Sequence, residues 1–131
     1  MNNQKKPSKQ LPPGQTPIKR LLRWGTDHPG IARSNPKMDL KTYTLTIEGE
    51  IEKPLKLDWN EIANLPKVVS VSDFHCVEGW SVLNCRWEGV RFTEIINIAK
   101  PRKTARFVTF ECADGYRTSL SLEELSGVDV I

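Results

Sequence analysis

The chain has no apolar run near the roughly 20 residues that a membrane helix needs, so no bilayer span is expected. Its three cysteines, Cys76, Cys85 and Cys112, are an odd number without CxxC spacing, and there are only two histidines, His28 and His75. Neither a disulfide framework nor a zinc knuckle follows, because structural zinc draws on closely spaced Cys and His pairs. Reduced thiols, and an N-terminus without a hydrophobic stretch or a twin-arginine pair, lead to the expectation of a cytoplasmic location. The formal net charge is only +3, with Lys5, Lys6, Lys9, Lys19, Arg20 and Arg23 near the start. Such a surplus lacks the dense basic patch of a nucleic-acid binder, and no nucleic-acid partner is expected. No internal repeat is evident, and low complexity is confined to the lysine-rich beginning.

A length of 131 residues suits one domain, able to bury somewhat over ~60% of the surface its unfolded chain exposes. Residues 1–10 read as a flexible polar tail and 11–131 as the domain. Leu11 to Thr16 and Pro17, rich in proline, read as an extended arm outside the core. Gly30 to Asp39 reads as a connecting loop. Tyr43, Leu45 and Ile47 alternate with threonines, the period of a half-buried strand, and Leu55 and Leu57 mark another extended piece.

Asp58 followed by Glu61 has the capping-box spacing, which predicts a helix from Trp59 to about Leu65. A second helix is expected over 93–99, with Thr93 as cap, Pro101 beyond its end and its isoleucines facing the core. Arg106 to Glu111 and Tyr116 to Leu120 read as a hairpin about Asp114-Gly115. Ser121 and Glu124 repeat the capping box for a third short helix that Gly127 can end, and 128–131 opens as a strand. Short strands with three inserted helices predict an α+β domain with a mixed, barrel-like β core.

The densest stretch runs from Val68 to Gly89. Its β-branched start, Val68 to Ser72, suits a strand that leads through Asp73, Phe74 and His75 to Cys76, with a turn at Glu78-Gly79 and a second short extended piece flanked by Trp80 and Trp87. Cys76 therefore falls where strand gives way to turn. Three roles fit a cysteine there: a small buried hydrophobe, a nucleophile activated by His75, or a soft thiolate ligand to a metal. Adjacent strand residues point to opposite faces, which disfavours the His-Cys dyad. Spacing does not choose among the three.

The run Phe74-His75-Cys76-Val77-Glu78-Gly79-Trp80-Ser81, followed by Trp87-Glu88-Gly89-Val90, resembles the cofactor-cysteine segment of the sulfite oxidase family, the molybdopterin-dependent oxidoreductases. Arg106 to Phe110 and then Cys112-Ala113-Asp114-Gly115-Tyr116 resemble the next segment of its small bacterial and archaeal members. The resemblance implies the sulfite-oxidase molybdopterin-binding fold, carried as an N-terminal portion, because family members continue past the place of Ile131 with a segment that grips the cofactor phosphate. It implies a molybdenum–molybdopterin cofactor with Cys76 as the thiolate ligand to the metal. By position, Arg23, Trp24, His75 and Cys112 become candidate cofactor contacts; an arginine fork suits an anionic pterin.

The implied activity is oxygen-atom transfer or another two-electron redox step on a small-molecule substrate, with a redox partner protein supplying or removing electrons. The alternative is a truncated, cofactor-free remnant that acts as a binding module, with Cys76 simply buried.

Overall fold

A computed structural model describes residues 10–23, 36–127 and 130–131. Trp24, His28, most of the 1–10 tail, much of the loop over 30–39, and part of the last predicted strand lie outside the described residues. The architecture is α+β, and the β structure is divided among three small sheets. Among the described residues, no helix is long and apolar enough to cross a membrane.

The arm is extended and exposed, as expected, and it also joins a sheet. Pro12 to Gln15 form a turn, with Gln15 N–H donating to the Pro12 carbonyl at 3.2 Å and Gly14 left-handed at φ +78°. Proline at the second and glycine at the third position are the demands of a type II turn, so the Pro13-Gly14 dipeptide already carried this information. The chain then enters strand β1 (Thr16–Pro17), which belongs to a sheet rather than to a free extended segment. Thr16 and Ile18 donate their N–H groups inward, and Pro17, which has none to give, sits between them at no cost to the pairing.

β2 (Thr44–Ile47) and β3 (Leu55–Asp58) form an antiparallel pair that matches Leu45 to Leu57 and Ile47 to Leu55, placing the apolar residues opposite one another. Asp58 then caps α1 (Trp59–Ala63): Glu61 N–H donates to Asp58 Oδ1 and Asp58 N–H to Glu61 Oε2, both at 2.8 Å. This helix stops two residues earlier than predicted. Leu65 N–H reaches back only to Ile62, a tighter turn that closes the helix ahead of Pro66.

β4 (Lys67–His75) and β5 (Trp80–Val90) are the longest strands and lie antiparallel, with β1 on the other side of β5 running parallel to it. The mixed sheet expected from the sequence is therefore present. β5, at 11 residues, is not the short piece predicted between the two tryptophans.

α2 (Phe92–Ala99) starts one residue before the predicted cap: Arg91 occupies the N-cap position without a side-chain hydrogen bond. Its end is set by Lys100, left-handed at φ 53°, followed by Pro101. The isoleucines do not all face inward. Ile95 and Ile96 share a half-buried face with Phe92 and the fully buried Ala99, whereas Ile98, a third of a turn away, is exposed.

β6 (Phe107–Glu111) and β7 (Arg117–Ser121) pair as the predicted hairpin and lead into α3 (Leu122–Leu125), capped reciprocally by Ser121 and Glu124. The buried apolar residues among those described are Ile51, Val82, Ala99 and Leu125, drawn from different parts of the chain. Of these, Val82 lies on β5 close to the Cys76 turn, so the longest hairpin supplies part of the small core.

Candidate functional site

Cys76 occupies the first position of the turn that joins β4 to β5. Gly79 N–H donates to the Cys76 carbonyl at 3.0 Å, and Cys76 N–H donates to the Trp80 carbonyl at 2.9 Å. Gly79 closes the turn at φ +94°, a conformation that side chains with a Cβ rarely adopt. A Cβ at this position would also lie 3.1 Å from the Gly14 carbonyl oxygen, so the glycine lets the arm approach. Val77, at the tip, is 99% exposed, while Cys76 behind it is half-buried. The thiol is thus neither sealed in aliphatic packing nor at the extremity of a loop.

The arm holds this turn from one side. Thr16 N–H donates to the Gly79 carbonyl and Ile18 N–H to the Ser81 carbonyl, both at 2.8 Å. Gln15 adds a side-chain bond, its Nε2 donating to the Cys76 carbonyl at 3.0 Å. Ser81, fully buried, donates from Oγ to Gln15 Oε1 at 2.6 Å, and His75 Nδ1 lies 2.7 Å from the same Oγ.

The direction of this relay is fixed at one end. A carbonyl only accepts, so Gln15 must present its amide nitrogen to Cys76 and its oxygen to Ser81. The single hydroxyl hydrogen of Ser81 is then committed to Gln15. His75 must therefore donate from Nδ1, which in the neutral ring leaves Nε2 as the acceptor.

On the strand side, Leu83 and Asn84 together oppose Asp73, a bulge between the Ser72–Cys85 and Phe74–Val82 pairs. Asn84 is left-handed at φ 55°, and its N–H donates to Asp73 Oδ1 at 2.9 Å. Beyond the bulge Phe74 stacks on Trp80, with ring centroids 5.5 Å apart, and meets Trp87 at 6.2 Å. Trp87 Nε1 donates to Ser72 Oγ at 2.9 Å. Both tryptophans therefore pack about the turn.

Of the residues singled out in the sequence, His75 and Cys76 come together in this turn. Arg23 lies exposed in the segment that follows β1, and Trp24 falls outside the described residues. Cys112 is exposed and sits on the β6–β7 hairpin, in a different sheet. Two shallow cavities of about 300 and 430 Å³ are lined by other residues, the larger by Leu45, Trp59, Ile62 and Ile95 among others. Gln15 and Ser81 were given no role from sequence. Ser81 belongs to the Trp80-Ser81 motif, and Pro13-Gly14 is the sequence sign of the turn that holds Gln15 in place.

Cys112 repeats the local geometry of Cys76. Gly115 N–H donates to the Cys112 carbonyl at 2.9 Å, Cys112 N–H to the Tyr116 carbonyl at 2.8 Å, and Gly115 is left-handed at φ +86°. Both turns read Cys, any residue, an acid, Gly, an aromatic: Cys76 to Trp80 and Cys112 to Tyr116. The sequence thus contains a short repeat that its overall pattern concealed.

A family model described as the oxidoreductase molybdopterin binding domain matches residues 32–131. The chain belongs to this family. Its cofactor is the molybdenum–molybdopterin expected from the Cys76 segment. An uncharacterized oxidoreductase, YuiH, of Bacillus subtilis (strain 168) is 31% identical over 86 residues, 66% of this chain and 43% of that protein. The protein-methionine-sulfoxide reductase catalytic subunit MsrP of Campylobacter jejuni is 39% identical over 70 residues, 53% of this chain and 23% of that protein.

Among solved structures, the sulfane dehydrogenase SoxCD from Paracoccus pantotrophus superposes with a TM-score of 0.62 at 16% identity, over 69% of this chain and 28% of that one. This likeness establishes the fold. The chain spans less than half the length of these curated relatives.

The donors in the chain suit such a cofactor. Among the described residues no three or more His, Cys, Asp or Glu side chains converge into a metal cage. A metal held at Cys76 would have one thiolate from this turn and would bring its remaining ligands with it, as a dithiolene-bound molybdenum does.

Proposed function

We propose that this domain transfers an oxygen atom at the sulfur of a sulfoxide of the methionine type, with Cys76 as the protein thiolate on molybdenum. The observation that carries this reading is the placement of Cys76: half-buried, at the head of a turn pinned by the arm, beside a residue that is 99% exposed. Two relatives support the substrate class, MsrP and a putative protein-methionine-sulfoxide reductase subunit, YedZ1, of Azospira oryzae, 33% identical over 86 residues. Both are named as subunits, which fits an electron-delivering partner protein for this domain as well.

Molybdenum, when bound, supplies the two-electron oxygen-atom transfer. The net reaction takes a sulfoxide, two electrons and two protons to a sulfide and water. The chain contributes position. Cys76 gives a sulfur whose thiolate form the cation itself favours. Gly79 lets the arm close on the turn, and Ser81 orients the imidazole of His75 so that Nδ1 is occupied and Nε2 is left for a second partner. Arg23, Trp24 and Cys112 remain candidate contacts to the pterin under this proposal.

Protein produced in a molybdenum-replete host is expected to oxidise a reduced viologen dye when methionine sulfoxide is added, and Cys76→Ser is expected to lose that turnover. Equal turnover in the variant and the parent would refute the assignment of Cys76.

A further inference from the structure

We propose that Gln15 is a positioning residue for the Cys76 thiolate, acting through the carbonyl of the same residue. This inference rests on the reading of Cys76 as the molybdenum ligand. A metal–sulfur bond is sensitive to the direction from which sulfur is presented, and that direction depends on the backbone at Cys76. Two turn hydrogen bonds fix that backbone from within the hairpin. The third, from Gln15 Nε2, comes from 61 residues away and is, among the described residues, the one side-chain donor to the Cys76 carbonyl.

Gln15 is itself held at both ends. Its Oε1 accepts from the buried Ser81 hydroxyl, and its own N–H closes the Pro12 turn. The backbone pairs on either side, Thr16 to Gly79 and Ile18 to Ser81, keep the arm in register with the turn. The amide thus couples a rigid arm to the ligand-bearing bend. In the equivalent hairpin, among the described residues, the Cys112 carbonyl accepts only from Gly115 N–H within its own turn. Cys112 is accordingly an internal reference for what the turn does unaided.

The test uses Gln15→Met, which keeps side-chain length and removes both polar ends, and Gln15→Asn, too short to bridge Ser81 and Cys76. Gln15→Met loses two hydrogen bonds, and the one to the Cys76 carbonyl, at ordinary strength, should by its loss ease local opening at Cys76 by about fivefold. Alkylation of Cys76 by iodoacetamide, followed by peptide mass spectrometry on metal-free folded protein, should therefore accelerate about fivefold relative to Cys112. In molybdenum-loaded protein the thiolate-to-molybdenum charge-transfer band should shift in energy, a change that lower stability alone would not produce.

Unchanged alkylation and an unchanged band in Gln15→Met, with the band lost in Cys76→Ser, would overturn the positioning role and leave the ligand assignment standing. A band that survives in Cys76→Ser would overturn the ligand assignment, and with it the proposed role of Gln15. Should Gln15→Met fail to fold, Gln15→Asn decides by the same two readouts.

Discussion

Two hairpins in this molecule bend over the same five-residue pattern, and they differ in what holds them. At Cys76 the turn is gripped by an arm strand, by the Gln15 amide and by a buried serine, and Phe74, Trp80 and Trp87 pack beside it. At Cys112 the cysteine is exposed, the neighbouring Tyr116 is 53% exposed, and Phe107 on the same hairpin is 71% exposed. Local turn chemistry therefore places a thiol at a bend but does not fix its surroundings. What sets Cys76 apart comes partly from aromatic residues and a serine of its own hairpin and partly from the arm, whose Gln15 lies 61 residues away in sequence.

The contrast can be attacked at the glycines first. Replacing either by alanine imposes a left-handed conformation on a residue with a Cβ, roughly 1–2 kcal/mol. At Gly115 nothing lies within 4 Å of the new carbon, and the cost should stop there. At Gly79 the Gly14 carbonyl lies 3.1 Å away, so Gly79→Ala should cost at least about 1 kcal/mol more, with strain of the kind seen on overpacking. Urea denaturation of the two variants gives the difference, and equal midpoints would show that the arm yields freely.

A smaller effect is expected at the serines. Ser81→Ala removes a fully buried hydroxyl and leaves Gln15 Oε1 without its donor, about 1–3 kcal/mol. Ser119→Ala removes the exposed bond to Thr109 Oγ1 at 2.8 Å and should stay within about 0.5 kcal/mol. Thermal unfolding of both variants sharpens the comparison if the order is as stated and breaks it if the order reverses.

Smaller still is the ion pair of the second hairpin. Arg117 and Glu111 meet at 2.7 Å, yet both side chains are more than half exposed, so Arg117→Ala should cost less than about 1 kcal/mol and less still in high salt. A stability change in that variant that did not diminish with salt would point to packing instead.

The mildest perturbation is acid. The Ser121 hydroxyl, then its backbone N–H, hold the Glu124 carboxyl below its ordinary 4.5. A depressed carboxylate stabilises the folded form above 4.5 and loses that contribution as pH falls through its lowered value. Acidification should thus fray α3, next to the second hairpin, and Glu124→Gln should remove this pH dependence. Amide exchange at Glu124 N–H, followed from neutral pH to below 4.5, reads the effect.

Much of this was visible in the residues, because local rules governed it. The capping boxes at Asp58 and Ser121 and the alternation from Tyr43 to Ile47 specified their elements directly. Thr93 is not the cap of α2, because Arg91 and Phe92 already form the entry to the helix without a capping side-chain bond. The arm is extended and exposed, as its prolines imply, and its pairing with β5 is compatible with Pro17 because an edge strand needs donors only at alternate positions.

The site divided in the same way. Cys76 and its turn were legible from Glu78-Gly79 and from the resemblance in the surrounding motif. Gln15 and the relay through Ser81 to His75 were not, since they depend on a contact across 61 residues of chain.

The most direct test of the central claim compares the sulfur shell around molybdenum, by X-ray absorption at the metal edge, in the parent protein, Cys76→Ser and Cys112→Ser. The expected result is the loss of one sulfur scatterer in Cys76→Ser and an unaltered shell in Cys112→Ser. An unaltered shell in Cys76→Ser, or a scatterer lost only in Cys112→Ser, would contradict it.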